Sequence, residues 1–95
     1  MSGTDIERRG FRVFGHVQGV GYRWNAVRAA ERFGLIGSIR NAPDGSVEVS
    51  AEGNRESLDG FAGWLAEGPR GAVVSRVEVT EPKLPIPERG FRIQR

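Results

Sequence analysis

The stretch Gly15-His16-Val17-Gln18-Gly19-Val20-Gly21-Tyr22-Arg23 combines three glycines with a terminal arginine. Glycine accepts backbone conformations closed to other residues, so successive N–H groups can turn toward one point and form a concave nest for an anion. A helical period of apolar residues begins at Tyr22, which puts the free N–H groups of a helix start just beyond the glycines. Arg23 falls in the first turn and brings a planar fork matched to phosphate oxygens. A cation is mildly unfavourable at that end of a helix, a local cost that fits a site in need of the charge. The chemistry on offer is binding of a phosphate-like anion. On spacing alone, a plain strand-to-helix turn with a surface arginine fits as well. The loop lacks the Gly-Lys-Ser/Thr of the NTPase phosphate loops, and it is not a dinucleotide fingerprint.

Composition narrows the chemistry further. Cysteine is absent and histidine occurs once, at His16. Disulfides, thiolate nucleophiles, Cys/His zinc sites and Fe–S clusters are thereby excluded. The formal charge is only +2, while the sequence pI is about 9.9. Thirteen of the fourteen basic residues are arginine, which stays charged at any ordinary pH and lifts the pI. A nucleic-acid surface would need a concentrated patch rather than this pI. No apolar run approaches the roughly 20 residues of a membrane span, and the start Met1-Ser2-Gly3-Thr4-Asp5 has no signal-peptide character. The expected compartment is the cytoplasm.

With 95 residues, the chain is expected to form one small domain over residues 9–95, preceded by a flexible tail, 1–8. Residues 9–17 alternate, with Phe11, Val13 and Val17 on one side, and predict a strand. Tyr22, Ala26, Ala29, Ala30 and Phe33 recur at helical spacing over 22–33, and Gly34 is the stop. Trp24 projects opposite that stripe with Arg28 one turn on; a stack under Arg28 accounts for it, with a ligand platform as the alternative. Residues 36–42 and 46–52 predict a hairpin around Ala42-Pro43-Asp44-Gly45. Val47, Val49 and Ala51 face its core, and Ser46, Glu48, Ser50 and Glu52 its wet side. Asn54 caps a second helix over 55–67, with Leu58, Phe61, Ala62 and Leu65 inward and Trp64 on its flank. Gly60 and Gly63 weaken that helix and Gly68-Pro69 ends it. Residues 73–80 predict a strand with Val73, Val77 and Val79 on one side. The stretch 81–90, with Pro82, Pro85 and Pro87, predicts a connector, and Phe91 and Ile93 a short last strand.

The order β-α-β-β-α-β, plus that terminal strand, is the split βαβ, ferredoxin-like pattern of an α+β sandwich with two helices on one sheet face. In it the first and second strands run the same way with the third between them. The loop after the first strand and the end of the second therefore share one sheet edge. This places Gly15–Arg23 near Asn41.

The segment Gly15–Arg23 resembles the first signature of the acylphosphatases, G-x-V-Q-G-V-x-aromatic-R. Gly37-Ser38-Ile39-Arg40-Asn41-Ala42-Pro43-Asp44-Gly45-Ser46-Val47-Glu48 is similar to the second, with Gly53 at the matching distance. Gly68-Pro69, Ala72-Val73-Val74, Val77 and Phe91-Arg92-Ile93 extend the likeness over nearly the whole chain. The resemblance implies hydrolysis of the carboxyl–phosphate bond of acyl phosphates to carboxylate and inorganic phosphate, with no cofactor and no metal. It maps the catalytic arginine onto Arg23, the catalytic asparagine onto Asn41, and the phosphate cradle onto Gln18, Gly19, Val20, Gly21, Tyr22 and Arg23. The implied partners are a small acyl phosphate and the phosphate product, with no nucleic acid and no membrane, for a chain expected to be monomeric. Ser38 stands where the second signature usually has an aromatic, Ile39 is bulkier than the common residue, and Asn25 replaces an apolar one. These departures concern packing near the site. His16 is expected to be solvated, Tyr22 to anchor the loop in the core, and Glu48 and Glu52 to be solvated strand residues.

Two other functions share the pattern of elements. An RNA recognition motif has the same order, and Arg9-Gly10-Phe11-Arg12-Val13-Phe14 begins like its RNA-contacting octamer. That segment fails at Arg12 and Val13 and lies on the first strand rather than the third, which offers no stacking aromatic. A non-catalytic accessory domain is the other alternative; related domains precede larger hydrogenase-maturation enzymes.

Overall fold

A computed structural model describes residues 5–94 and has the element order β1 (Glu7–His16), α1 (Tyr22–Arg32), β2 (Ile36–Asn41), β3 (Val47–Gly53), α2 (Arg55–Glu67), β4 (Val73–Thr80) and β5 (Phe91–Ile93). The sheet order is β4-β1-β3-β2-β5, antiparallel except for β2 against β5. This is the ferredoxin-like sandwich with a fifth, parallel strand at one edge. Of the N-terminal tail, residues 1–4 lie outside the described residues. Glu7 and Arg8 already pair with Gly53 and Glu52, so the strand begins two residues earlier than its alternation indicates.

Both helices pack on one face, α1 over β2 and β5, α2 over β4, β1 and β3. Tyr22, Ala26, Ala29 and Ala30 form the buried stripe of α1, and Leu58, Phe61 and Leu65 that of α2. They close over Phe11, Val13, Val47 and Val49, none more than 2% exposed. Each end is set by local chemistry. The Gly34 N–H donates to Glu31 O and the Leu35 N–H to Ala30 O, at 3.0 Å each, the pair of bonds that ends a helix at a left-handed glycine. Asn54 Oδ1 accepts from the Ser57 N–H at 2.8 Å and starts α2.

Three expectations are corrected. Phe33 is not part of the buried stripe. It caps α1 at 36% exposure, and its ring lies where a Cβ on Gly60 would stand, 2.5 Å away. Gly60 therefore admits an aromatic from α1, whatever it takes from helix propensity. Val73 does not share a face with Val77. Phe14 pairs with Arg76 but Gly15 pairs with Val74, so Ser75 is an extra residue and the parity flips across this bulge. Val74 turns to the core instead, and Val73 and Val79 are both about two-thirds exposed on this edge strand.

The third correction concerns the wet side of the hairpin. Ser38, Ser46, Glu48 and Ser50 are all buried. Residues 81–90 form a strap across that face. Ser50 Oγ accepts from the N–H groups of Lys83 and Leu84 at 3.0 and 2.9 Å, and Ser38 Oγ donates to Pro85 O. Glu48 sits between Arg12 and Arg40, its Oε1 2.7 Å from Arg40 Nε. Burial opposes its ionisation, but the hydrogen bonds from both guanidinium groups outweigh that and hold the carboxyl below the usual range. Glu52 is partly exposed and paired with Arg8 at 2.8 Å.

Candidate active site

The loop from β1 to α1 is built by its glycines. Gly15, Gly19 and Gly21 have φ of 129°, 78° and 74°, values that side chains rarely adopt. At Gly15 a Cβ would also stand 2.1 Å from Val73 O, so β4 could not approach. Gly21 occupies the N-cap position of α1 and offers no capping side chain. The first helical bond runs from the Asn25 N–H to Gly21 O at 3.1 Å. The N–H groups of Tyr22, Arg23 and Trp24 thus have no partner within the helix. No acid lies in the first turn of α1. Asn25 Nδ2 donates to Gly21 O at 2.8 Å, so this polar replacement ties the turn to the helix instead of loosening it.

Gln18 joins this loop to the β2–β3 turn. Its Nε2 donates to Ala42 O and to Ser46 O, both at 2.9 Å. Two carbonyl acceptors on one nitrogen fix which end of the amide is which. The turn itself is closed by the Gly45 N–H to Ala42 O at 3.1 Å and the Ala42 N–H to Ser46 O at 2.8 Å. Asn41, the last residue of β2, immediately precedes it. The Asn41 Oδ1 is buried and has no hydrogen-bond partner. A buried acceptor left empty is costly, and such atoms in folded proteins call for a ligand, a water or a functional role.

Beside the loop opens a cleft of about 260 Å³, walled by Val17, Gly19, Gly21, Arg23, Trp24 and Ile93. Tyr22 forms its base. The Tyr22 hydroxyl donates to Leu65 O at 2.7 Å, its ring packs on Trp64 at 5.6 Å, and burial pushes the phenol's pKa up. It is the anchor that the sequence predicts. His16 is exposed, and Trp24 lies 5.0 Å from the Arg28 guanidinium carbon. Among the described residues, no carboxylate pairs with Arg23 and no group of three His, Cys, Asp or Glu is placed to hold a metal.

The fold therefore brings Gln18, the β2–β3 turn and the residue before it to one sheet edge, and Gly19, Gly21 and Arg23 around one cleft. Asn41 does not line that cleft; it stands at its neighbouring strand end. Ser38 lies under the strap and Ile39 in the core, so neither departure touches the loop. Trp24 and Ile93 line the cleft. Helical spacing puts Trp24 opposite the buried stripe and alternation puts Ile93 on the last strand, but neither pattern brings the two together.

The face that an RNA recognition motif would use carries Ser38, Glu48 and Ser50 beneath the strap. The accessory-domain alternative is not favoured by comparison with known proteins. The acylphosphatase family profile matches residues 9–93. An acylphosphatase of Alkalilimnicola ehrlichii is 51% identical over 87 residues, covering 92% of this chain and 97% of its own. The solved acylphosphatase of Coxiella burnetii is 35% identical with a TM-score of 0.84, covering 94% of this chain and 93% of its own. That of Bacillus subtilis is 31% identical with a TM-score of 0.85, covering 96% and 100%. By the extent of the profile match and these identities over nearly full length, the chain belongs to the acylphosphatase family.

Proposed function

We propose that this chain carries out the acylphosphatase reaction with Arg23 and the N–H groups of Gln18 through Arg23 as the phosphate cradle and Asn41 as the holder of the attacking water. When the P–O bond of an acyl phosphate breaks, the acyl half departs as a carboxylate, a good leaving group, so little proton transfer to the departing oxygen is needed. What remains is to neutralise charge on the phosphoryl oxygens and to aim a water in line with the breaking P–O bond. The glycine nest, the unpartnered N–H groups of the first helical turn and the Arg23 fork supply the first requirement without reorganising during the reaction. An amide supplies the second by hydrogen bonding, since it cannot act as a base near neutral pH. The water's proton then passes to a phosphoryl oxygen of the substrate. Arg23 provides the positive charge that a metal ion would otherwise bring, so the reaction runs without one.

The observation that carries this reading is the buried, unpartnered Asn41 Oδ1 one residue before the turn that Gln18 ties to the loop. An acceptor in that state is suited to take a hydrogen from water and point its lone pair toward the cradle. Asn41→Ala should lower kcat by a hundredfold or more, about 2.7 kcal/mol, with little change in inhibition by phosphate. Arg23→Ala should weaken both rate and phosphate inhibition, the latter by roughly tenfold or more for a lost charged hydrogen bond. A fully active Asn41→Ala enzyme would remove the water-holding role.

A further inference from the structure

The cleft beside the loop has room for more than a phosphate. A cavity of roughly 150 Å³ accommodates a benzene ring, and this one measures about 260 Å³. Among the described residues, Arg23 is the only charged side chain lining it; Val17, Tyr22, Trp24 and Ile93 supply the rest of the side-chain surface. Ligand sites of this composition take one polar head and an apolar body. Trp24 is 59% exposed and Ile93 37%, so two large apolar groups face solvent beside the arginine. Neither is incidental to the fold. Trp24 is held in place by Arg28 stacked on its ring, a contact that covers one face of the indole and restricts its rotation. Ile93 is fixed by β5, where it pairs with Ile39 of β2 and the following Gln94 N–H donates to Ile39 O at 2.8 Å.

We propose that Trp24 and Ile93 form the acyl-recognition wall of the site and make the chain selective for acyl phosphates with an aromatic acyl group over those with a small or charged one. The proposal rests on the phosphate cradle described above. The acyl group is joined to phosphorus through a single oxygen, so a phosphate seated among the Gly19–Arg23 amides leaves its acyl group beside the next residue of the helix, Trp24. An aromatic ring gains by stacking on the indole, while acetyl reaches too little of it. A carboxylate on the acyl group would meet apolar walls and lose hydration without a partner, because Arg23 is engaged by the phosphate.

Paired kinetics with benzoyl phosphate and acetyl phosphate test this. In Trp24→Ala the ratio of the two kcat/KM values, benzoyl over acetyl, should fall about tenfold, carried by KM; Ile93→Ala should lower it a few-fold, and Trp24→Phe should keep most of it. An unchanged ratio in Trp24→Ala overturns the proposal, even if both substrates slow, since that is the signature of a purely structural tryptophan. The cradle itself is tested separately: wild-type rates in Arg23→Ala would end that reading while leaving the ratio measurable. A second readout needs no turnover. With Trp64→Phe, Trp24 is the only tryptophan of the chain. Benzoylphosphonate should quench its emission at about tenfold lower concentration than acetylphosphonate. Equal concentrations, or no quenching by benzoylphosphonate, overturn the proposal.

Discussion

Gln18 offers the sharpest mechanical test of how the two halves of the site are held together. Among the described residues, its side chain makes the side-chain hydrogen bonds by which the β1–α1 loop grips the β2–β3 turn, with two bonds of 2.9 Å to Ala42 O and Ser46 O. Gln18→Ala removes both. At about 1 kcal/mol net for each bond, the loss is about 2 kcal/mol. A domain of this size has an unfolding entropy near 0.2 kcal/mol/K, so the midpoint should fall by about 10 °C. The kinetic effect should exceed what stability explains. Freed from the turn, the loop no longer has a fixed position relative to Asn41, and kcat should drop by about tenfold at temperatures where the variant is fully folded. Gln18→Glu should be worse than alanine at neutral pH, because a carboxylate would face two carbonyl oxygens and offer no donor. Thermal unfolding by circular dichroism gives the first quantity, and steady-state hydrolysis of benzoyl phosphate at 20 °C the second. A Gln18→Ala enzyme with wild-type midpoint and wild-type kcat would refute the clamp.

Two further outcomes follow from the strap face. The carboxyl of Glu48 is depressed in the folded state, so its contribution to stability is fully present above the unfolded value near 4.3 and is lost as pH falls through the lower folded value. Glu48→Gln should therefore be destabilised at pH 7 and converge toward the wild type as pH falls below the ordinary carboxylate range, as seen in urea midpoints measured from neutral to acid pH. Ser50→Ala strips the acceptor from the Lys83 and Leu84 N–H groups and should cost about 2 kcal/mol. Amide exchange at those two residues should speed up with it, and protection unchanged from wild type would show that the strap is held elsewhere.

The parts of the fold with a regular period could be read from the chain. Both helices, the hairpin and the closing Phe91–Ile93 strand appear where periods of 3.6 or 2 appear, and the Asn54 cap and the Gly34 and Gly68 stops follow from local chemistry. What escaped the sequence comes from contacts between residues far apart in the chain. Ser46, Glu48 and Ser50 read as a wet face because they are polar and alternate. Their cover is a proline-rich segment more than thirty residues later with no period to betray it. Parity puts Val73 on the Val77 side only if the ladder is unbroken, and Ser75 breaks it. The site divides along the same line. The nest and Arg23 lie within nine consecutive residues and carry their own signature. The Gln18 bonds to the turn, the unpartnered Asn41 Oδ1 and the closeness of Trp24 to Ile93 arise only when β2, β5 and the loop meet at one edge.

The most direct test of the central claim is hydrolysis of benzoyl phosphate by the purified chain in excess EDTA, with Arg23→Ala and Asn41→Ala beside it. A cradle of backbone amides and one arginine, with a water held by Asn41, predicts full wild-type turnover in the chelator and at least a hundredfold lower kcat in each variant. Activity that disappears with EDTA and returns with an added divalent cation would contradict it, as would a variant of either residue that turns over like the wild type.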